Sequence, residues 1–369
     1  MPQLESITIK GFKSISSIES LILRPINIVI GSNGSGKSNF IGVFSFLNAI
    51  KEGRLQDYVA KAGGSNKILH FGSKVTGTLF IRISFQHDTN QYSIELQPTE
   101  ADELIPTAEV AYFWNKSNWN SPGSFPLPRE GKEAGISKQP NSKPARYVKD
   151  HLDRWRVYHF HDTSSSSPMK ATMDVNDNSY LRPDGSNLAG FLYYLQEKHE
   201  VSYSLIKKTV QRVAPFFEDF KLAPQKLNPE KIRLEWIHKG SDDYFDVSSL
   251  SDGTLRFIAL TTLFLQPENY RPSVILVDEP ELGLHPYAIT LLASLIKQVS
   301  LKTQVIISTQ SPLLLDNFEP EDVLVADRID GGTQLTRLET TEHLKKWLDE
   351  YSLGQLWEKN ELGGRPKAE

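Results

Sequence analysis

Residues 26–38 read INIVIGSNGSGKS, in which a run of apolar residues passes directly into a glycine-rich bend that ends in Lys-Ser. Nearly continuous apolar character over Ile26–Ile30 is typical of a strand that is buried on both faces. After Ser38, apolar residues recur at helical spacing as far as Ile50, and Gly53 is placed to end that helix. The stretch therefore predicts a strand, a glycine loop and a helix in immediate succession.

The bend fits the pattern G-x-x-x-x-G-K-[ST], which in a strand-to-helix context is the phosphate-binding P-loop. Glycines let successive backbone N–H groups turn toward one concave spot, and the following helix adds the positive end of its dipole. Lys37 is expected to reach the β- and γ-phosphates of a nucleoside triphosphate, and the Ser38 hydroxyl to ligate Mg²⁺. The alternative is a glycine-rich turn without a ligand. The candidate nucleotide-binding residues are Gly31, Asn33, Gly34, Ser35, Gly36, Lys37, Ser38 and Asn39.

A second motif, VILVDEPELGLHP, spans residues 274–286. Its first four apolar residues predict a buried strand whose carboxyl end presents Asp278 and Glu279, where open α/β sheets bind ligands. Asp278 is suited to holding Mg²⁺ through its water shell, and Glu279 to polarising an attacking water. A strand that simply ends in a solvated acidic turn is the alternative.

A third motif, LSDGTLRFIAL, begins at Leu250. A Ser-x-Gly turn that opens a helix at Ser251 offers a hydroxyl and free amides, which is again an anion-binding arrangement. One nucleotide needs only one such nest for its γ-phosphate, so this turn raises the possibility of a contact to the nucleotide of a neighbouring molecule. The simpler interpretation is that Ser251 is only a helix N-cap.

Composition limits the class of protein. The chain has 369 residues, 39% hydrophobic and 23% charged, which suits one large or two smaller globular domains. It shows no leader sequence and no apolar run of about 20 residues, so a cytoplasmic protein without a membrane contact is expected. No cysteine is present, which excludes disulfides and thiolate metal sites. Because the formal net charge is −4, any contact with nucleic acid must be local.

Several further elements are predicted from patterning. Three β-like runs between Thr78 and Trp114 indicate an antiparallel meander, and the Pro- and Gly-rich residues 115–145 indicate a long mobile loop. Asn187 is placed to cap a helix, and residues 188–217 are predicted as two helices. The β–α–β–α alternation after residue 250 favours a mostly parallel sheet. A last, amphipathic helix presents Leu344, Trp347 and Leu348 on one side.

The motifs GSNGSGKS, LSDGTLR, ILVDEPELGLHP and STQSP, in this order, resemble an ABC-type ATPase head of the RecF, SMC and OLD-like group, and the opening ITIKGFKSI is similar to the first strand of those proteins. The resemblance covers the first 50 or so residues and roughly 230 to 330. It implies a P-loop NTPase of the α/β class with a mostly parallel core sheet, an antiparallel meander and a helical and loop insertion. The interval between the motifs lacks heptad arrays, and the residues after 325 are few, so neither a coiled coil nor an appended nuclease domain is expected.

In that family two heads enclose two ATP molecules, each bound by one P-loop and covered by the partner's signature turn. Carried over, the resemblance implies that Ser251, Asp252 and Gly253 contact the nucleotide in trans and that Glu279 is the catalytic carboxylate. The segment ELGLHP corresponds to the D-loop, and the switch position, usually His, is Gln310. Glutamine can hydrogen-bond a phosphate or water but carries no proton charge, which would slow hydrolysis. The Q-loop of the family has no assigned place in this sequence.

Two weaker signals concern other ligands. Residues 116–156 carry nine Lys or Arg against four acidic residues, with Trp114, Trp119, Tyr147 and Trp155 interleaved. Such a mixture could grip a nucleic-acid backbone, although a solvated loop with packed aromatics is the favoured interpretation. His159 and His161 are spaced to share one side of a strand, as in some metal sites, but histidines so placed are more often structural.

These observations lead to one hypothesis and two alternatives. The hypothesis is an ATPase that needs ATP and Mg²⁺, forms a homodimer through its heads, and switches a separately encoded effector, a nuclease or toxin, or a DNA contact in DNA repair or phage defence. The alternatives are a scaffold that binds nucleotide without hydrolysing it and the ATPase subunit of a transporter. The expected segments are residues 1–80 and 231–340 for the ATPase head, 81–230 for the insertion and 341–369 for a C-terminal helix and tail.

Overall fold

The computed structural model describes residues 4–128, 131–138 and 140–364 of the chain. Its strands within these ranges are β1 (Leu4–Phe12), β2 (Ile15–Ile22), β3 (Ile26–Ile30), β4 (Leu79–Phe85), β5 (Asn90–Pro98), β6 (Leu104–Phe113), β7 (Gly123–Pro126), β8 (Trp155–Tyr158), β9 (Met173–Asp174), β10 (Phe217–Lys221), β11 (Lys231–Ile232), β12 (Glu235–His238), β13 (Tyr244–Asp246), β14 (Val274–Asp278), β15 (Gln304–Ser308), β16 (Val323–Ile329) and β17 (Gly332–Arg337). Its α-helices are α1 (Lys37–Lys51), α2 (Leu55–Ala62), α3 (Ser65–Ile68), α4 (Lys143–Leu152), α5 (Leu188–Lys198), α6 (Glu200–Val213), α7 (Asp252–Leu265), α8 (Pro286–Ser300), α9 (Pro312–Leu315), α10 (Glu342–Leu348) and α11 (Leu353–Glu358).

The strand that precedes the glycine loop lies in the middle of a mostly parallel sheet. Within the described residues the order of this core sheet is β17-β16-β3-β15-β14-β8. Every residue of β3 is buried, as expected for a strand covered on both faces. Its neighbours β15 and β16 both run parallel to it, and β17 is antiparallel at one edge. The predicted fold class, with a mostly parallel core sheet, is confirmed.

A second, antiparallel sheet contains the predicted meander. In the described part of the chain its order is β2-β1-β4-β5-β6-β7, so the meander of β4 to β6 is extended by the first two strands on one side and by β7 on the other. In the described residues that lead to the signature turn, β10, β12 and β13 form a small three-stranded sheet, and β9 and β11 form a two-stranded one.

Helix α1 lies between the two large sheets. Its apolar residues occupy most of its circumference, which is typical of a helix buried on several sides. One hydrophobic core joins α1 to the antiparallel sheet and to one face of the core sheet, through residues such as Phe44, Ile81 and Leu276. A second core joins the other face of the core sheet to α5, α6, α7 and α8, through residues such as Ile28, Ile258 and Leu292. The P-loop is therefore fixed from both faces of the core sheet.

The helices after residue 187 agree with the predictions, but the proposed cap does not. The predicted pair appears as α5 and α6, and α10 packs Leu344, Trp347 and Leu348 against the second core. The prediction that the Asn187 side chain caps α5 is wrong. Its amide instead accepts from the Arg182 N–H at 2.8 Å and donates to the Tyr180 carbonyl at 2.7 Å, because the buried side chain holds the preceding loop. No helix in the described ranges is both long and apolar enough to cross a membrane.

The prediction of one long mobile loop over residues 115–145 is also wrong for the described part of that stretch. It contains β7, a short 3₁₀ helix over Gly135–Ser137 and the start of α4. Ile136 is fully buried, and the Glu109 carboxylate accepts from the backbone N–H groups of Gly135 and Ile136 at 2.6 and 2.9 Å. A buried acid and a core contact therefore order a segment whose composition indicates a loop. Residues 129, 130 and 139 lie outside the described residues.

Strand β8 lies inside the predicted insertion over residues 81–230, yet it pairs with β14 as an edge strand of the core sheet. The insertion thus contributes to the sheet that carries the P-loop. The division of the chain into segments remains a prediction.

Candidate nucleotide site

The glycine loop ends where α1 begins. The cap position of α1 is Gly36, at φ +103°, so no side chain covers the first amides of the helix. A Cβ on Gly36 would overlap the Thr333 hydroxyl, which donates to the Ser35 carbonyl at 2.8 Å and contacts the Ser14 hydroxyl at 2.7 Å. The loop is braced from β17 on one side, while the N–H groups of Gly36, Lys37 and Ser38 have no hydrogen-bond partner among the described residues. This is the arrangement that binds an anion at a helix N-terminus.

Lys37 is held inside the loop. Its side chain is buried, and Nζ donates to the carbonyls of Gly31 at 2.6 Å and Ser32 at 3.0 Å. Burial lowers the pKa of Lys37, and the carboxylates of Glu279 and Asp278 oppose that shift. The ammonium is therefore placed beside the predicted acids, where it can meet a phosphate.

The other predicted P-loop residues divide into two groups. Asn33, Gly34 and Ser38 are exposed at the open side of the loop. Ser35 is buried, and Asn39 donates through Nδ2 to the Ser14 hydroxyl at 2.7 Å, so the Asn39 side chain braces the turn after β1. The exposed group is the part of the loop that is open to solvent.

Asp278 and Glu279 lie at the carboxyl end of β14, beside the end of β15. The Ser308 hydroxyl donates to Asp278 Oδ1, and the Glu279 N–H donates to the Ser308 carbonyl at 2.9 Å. Glu279 has φ +41°, a strained conformation for a residue other than glycine that costs about 1–3 kcal/mol and is typical of functional sites. The Gln310 amide donates to Glu279 Oε1, so the structure joins the two residues predicted as catalytic.

Glu281 is a residue of this site that the sequence analysis missed. Its side chain is buried, and Oε1 accepts from the Thr309 hydroxyl and from the Gln310 N–H at 3.1 Å. Burial raises the pKa of Glu281, and these hydrogen bonds oppose the rise. The carboxylate thus ties the D-loop to the switch position. In the sequence Glu281 is only the third acid of a turn, and no neighbouring residue indicates that its side chain is buried.

The donor set fits Mg²⁺ held together with a triphosphate. Among the described residues no group of three or more His, Asp or Glu side chains could hold a metal by itself, and His159 and His161, with ring centroids 6.4 Å apart, have no third ligand there. Mg²⁺ usually takes one or two protein oxygens and completes its shell with water and phosphate oxygens. Ser38 and Asp278 are the residues that would hold it, on the open side of the P-loop.

The signature turn caps helix α7. The Ser251 hydroxyl accepts from the Thr254 N–H at 3.2 Å, so the N-cap prediction is confirmed. Ser251 and Asp252 are exposed, and the Asp252 carboxylate lies 3.7 Å from the Lys170 ammonium. Among the residues that the structure describes, no hydrogen bond joins this turn to the P-loop of the same chain.

The other side of the signature turn packs against the D-loop, at a contact that the sequence does not reveal. A Cβ on Gly253 would overlap the Gly283 carbonyl, so the two backbones touch. Buried Arg256 donates to the carbonyls of Phe160 at 2.9 Å, His161 at 3.0 Å and Leu282. One guanidinium therefore joins α7, the D-loop and the segment after β8. Its three partners lie 96, 95 and 26 residues away along the chain, where local patterning gives no signal.

Two of the four aromatics that accompany the basic stretch 116–156 are packed into the protein, as the favoured interpretation of this stretch expects. Trp155 is buried in β8, and Tyr147 packs edge-on against Phe85 with ring centroids 6.2 Å apart. Trp114 donates its indole N–H to the Trp119 carbonyl at 3.0 Å. The interpretation of this stretch as a row of base-stacking rings is therefore wrong for Tyr147 and Trp155, because the hydrophobic core takes both side chains.

The loop also has a contact from the far end of the chain. The Ser32 N–H donates to the Gly364 carbonyl at 2.6 Å, and the Gly364 N–H donates to Asp327 Oδ1 at 2.9 Å. Gly364 therefore covers the outer side of the P-loop, in a position that no sequence motif predicts.

Solved structures with a similar fold are heads of SMC proteins. One, a SMC head bound to the C-winged helix domain of ScpA, superposes with a TM-score of 0.62 and 16% identity over 93% of this chain and 99% of that chain. Another, a SMC head domain with an extended coiled coil bound to the C-terminal domain of ScpA and derived from Pyrococcus furiosus, gives 0.58 and 16% over 95% of this chain and 99% of that chain. At this identity the likeness establishes the fold, and it confirms the resemblance to the SMC-like group.

A curated relative matches only locally. Urease accessory protein 2 of Cryptococcus neoformans var. grubii is 31% identical over 110 residues, which are 28% of this chain and 8% of that protein. The chain thus spans less than a tenth of the length of this relative.

A protein-family model covers the whole candidate site. The family described as "AAA domain, putative AbiEii toxin, Type IV TA system" matches residues 26–316, which include the P-loop, the signature turn, the D-loop and the switch position. Since the match spans well over half of the chain, the protein belongs to this AAA-domain family and has the fold of an ATPase head.

Proposed function

We propose that the chain hydrolyses ATP between two head-to-tail copies of itself, and that the cycle of closing and opening switches a partner. The observation that carries the proposal is Glu279: its backbone is strained, its carboxylate accepts from Gln310, and it lies close enough to Lys37 to affect the pKa of that ammonium. A strained acid at the carboxyl end of a core strand, beside an open P-loop, is suited to activating a nucleophile.

Binding would use the open amides of the P-loop together with Lys37. When bound, ATP with Mg²⁺ supplies the phosphoanhydride bond that is cleaved and part of the positive charge that stabilises it. Lys37 would exchange its bonds to the carbonyls of Gly31 and Ser32 for bonds to phosphate oxygens. Burial lowers the pKa of Lys37, and the carboxylates of Glu279 and Asp278 oppose this lowering. Ser38 and Asp278 lie where a metal between P-loop and β14 would be held.

Hydrolysis would rest on Glu279 as the group that accepts a proton from the attacking water. Gln310 fixes that carboxylate through its side-chain amide, and Glu281 fixes Gln310 through the backbone N–H at 3.1 Å. Since glutamine is neutral at every pH, the proton stays on Glu279 until it leaves to solvent. A slow turnover is therefore expected.

The proposed dimer rests on the exposed signature turn. In a two-fold symmetric dimer, the same patch of each copy meets the other copy. Ser251, Asp252 and Gly253 of one copy would then cover the nucleotide in the P-loop of its partner. Gly253 and Arg256 join the signature turn to the D-loop. When the signature turn of one copy closes over the partner's nucleotide, its movement would therefore be transmitted to the segment that carries Glu279 and Glu281.

The partner that is switched is proposed to be a separately encoded protein. The two SMC heads of similar fold were solved with ScpA domains bound, and the family description names a toxin system. By this analogy a nuclease or toxin that acts in DNA repair or phage defence is the candidate effector. Affinity capture from the native host with the Glu279→Gln variant and ATP tests this, since an effector recovered without ATP in equal amount would contradict switching.

Steady-state phosphate release tests the enzyme. We expect Glu279→Gln to lower turnover at least 100-fold, since a positioned general base contributes about 10²–10⁴. ATP affinity should stay within about threefold, and Glu197→Gln, an exposed acid on α5, serves as the matched control. Equal background release from wild type and Glu279→Gln, with ATP bound by both, would instead support the non-hydrolysing scaffold.

A further inference from the structure

A cleft lined by three arginines opens at the end of the core sheet that lies away from the P-loop. The cleft has a volume of about 170 Å³ and lies between the start of β8, the segment at Tyr180 and the connection into β14. Arg154 and Arg156 lie at the start of β8, and Arg271 lies in the connection into β14. Arg271 precedes Asp278 by seven residues along an extended segment, so roughly 20 Å separates the cleft from the candidate nucleotide site at about 3.3 Å per residue.

The positive charge of this cleft is not neutralised. None of the ion pairs found among the described residues involves Arg154, Arg156 or Arg271. Asp153 is the acid among the lining residues, and it lies 3.4 Å from the Lys51 ammonium. Glu268 is near Arg271 but pairs with Lys302 at 2.6 Å. Three like charges around a small cleft repel one another unless an anion lies between them.

Two of the three guanidiniums are already held in place. Arg156 donates to the carbonyls of Asp153 and Trp155 at 2.6 and 2.8 Å and stacks on the ring of Tyr180 at 5.0 Å. Arg271 donates to the Gln266 carbonyl at 2.9 Å, while its Nε is buried and has no hydrogen-bond partner in the described chain. Arg154 is exposed, and its side chain makes no hydrogen bond or ion pair within the described part of the chain.

We propose that this arginine cleft, defined by Arg154, Arg156 and Arg271, binds a phosphate group. Guanidinium groups match phosphate oxygens with paired N–H donors, and Tyr180 and Asn269 line the same cleft. A volume of about 170 Å³ lies below the roughly 300 Å³ of small-molecule pockets, so the cleft accepts one phosphate and leaves the rest of a larger ligand outside. Free phosphate and the phosphodiester of a nucleic acid share this chemistry.

Calorimetric titration with inorganic phosphate tests the cleft without reference to ATP. Lys37→Ala removes the ammonium of the P-loop and so weakens phosphate binding there, and the comparison of charge reversals in this background reports on the cleft. We expect it to weaken at least tenfold in Lys37→Ala/Arg154→Glu and less than twofold in Lys37→Ala/Arg212→Glu, where an exposed arginine of α6 undergoes the same charge reversal. No residual binding in Lys37→Ala, or equal loss in both double variants, would overturn the proposal. If phosphate binding is the same in Lys37→Ala as in the wild type, the P-loop assignment is wrong, and this outcome is distinct from a failure of the cleft.

Fluorescence anisotropy with a labelled 20-nucleotide DNA identifies the source of the phosphate. If a nucleic-acid backbone enters the cleft, Arg154→Glu should weaken DNA binding at least fivefold and Arg212→Glu less than twofold, and inorganic phosphate should compete. If DNA binding is equal in both variants while phosphate still binds the cleft, free phosphate is the ligand. Arg271→Lys, which keeps the charge but replaces the planar guanidinium fork with a single ammonium, should weaken phosphate binding about threefold. Unchanged binding in that variant would contradict the assigned role of Arg271.

Discussion

The P-loop and the signature turn are both N-terminal ends of buried helices, but the chain covers them differently. The P-loop is enclosed by Thr333, by the side chain of Lys37 and by Gly364, and its cap is a glycine that leaves the amides of α1 open. At the signature turn, the Ser251 hydroxyl already accepts from the Thr254 N–H, and Ser251 and Asp252 are exposed. One site is a nearly complete anion cradle, whereas the other is a partly satisfied helix end. This difference is the basis for proposing that the signature turn contacts the nucleotide of another copy.

The largest effect should follow from removing the ammonium of the P-loop. Lys37→Ala is expected to weaken ATP binding at least 100-fold, because the buried charge that faces the phosphates is lost. Binding of a fluorescent ATP analogue measures this, with Lys208→Ala on the exposed side of α6 as the control. Normal affinity in Lys37→Ala would show that the enclosed site is not the nucleotide site.

A bulky charged side chain at the signature turn should affect dimer formation without affecting ATP binding by the single chain. Ser251→Arg is expected to leave ATP binding to the single chain within twofold, since no described hydrogen bond joins the turn to its own P-loop. ATP-dependent dimers should weaken at least 30-fold, because the arginine would fill the space for the partner's nucleotide. Sedimentation velocity in the Glu279→Gln background measures both states, and dimers of unchanged stability would contradict the trans contact.

A smaller effect is expected where the signature turn joins the D-loop. Arg256→Lys keeps the charge but replaces the three separate nitrogens that donate to the three carbonyls with a single nitrogen, so we expect a buried carbonyl to lose its donor at a cost of about 1–3 kcal/mol. Turnover should fall about tenfold while ATP affinity changes less than twofold.

Steady-state kinetics measured well below the unfolding temperature, with Arg212→Lys as the control, separate this positioning role from a loss of stability. If Arg256→Lys lowers only the unfolding temperature and leaves turnover unchanged, the residue is structural and does not couple the two sites.

The smallest effect concerns the brace of the P-loop. Thr333→Val keeps the shape of the side chain but removes the donor to the Ser35 carbonyl, which is worth about 1 kcal/mol. ATP affinity should fall about fivefold, and Thr336→Val, an exposed position on the same strand, should have no effect. Equal affinities in the two variants would show that the loop does not need this support.

The parts of the site that could be predicted from the sequence are those with local signals. A continuous apolar run before the glycines, and a second one before Asp278, place two strand ends at one edge of a sheet. The residues that join these motifs have no such signal. Arg256 meets carbonyls from distant segments, Glu281 is distinguished only by its burial, and Gly364 is identified only by its contact with Ser32. Ordered structure within residues 115–145 was missed for the same reason, since it depends on the buried acid Glu109.

The placement of β3 has a consequence for biosynthesis. Its two neighbours in the core sheet arrive late, because Ile26 pairs with Val305 and Ile28 with Val323. At about 5–20 residues per second, the ribosome delivers these strands roughly 15 to 60 s after the glycine loop. During that time the apolar β3 has no sheet to enter, and the nascent chain depends on α1 and the antiparallel strands, or on chaperones, to keep it from aggregating. A codon change that slows translation between residues 40 and 300 should therefore lower the soluble yield more than the same change after residue 330.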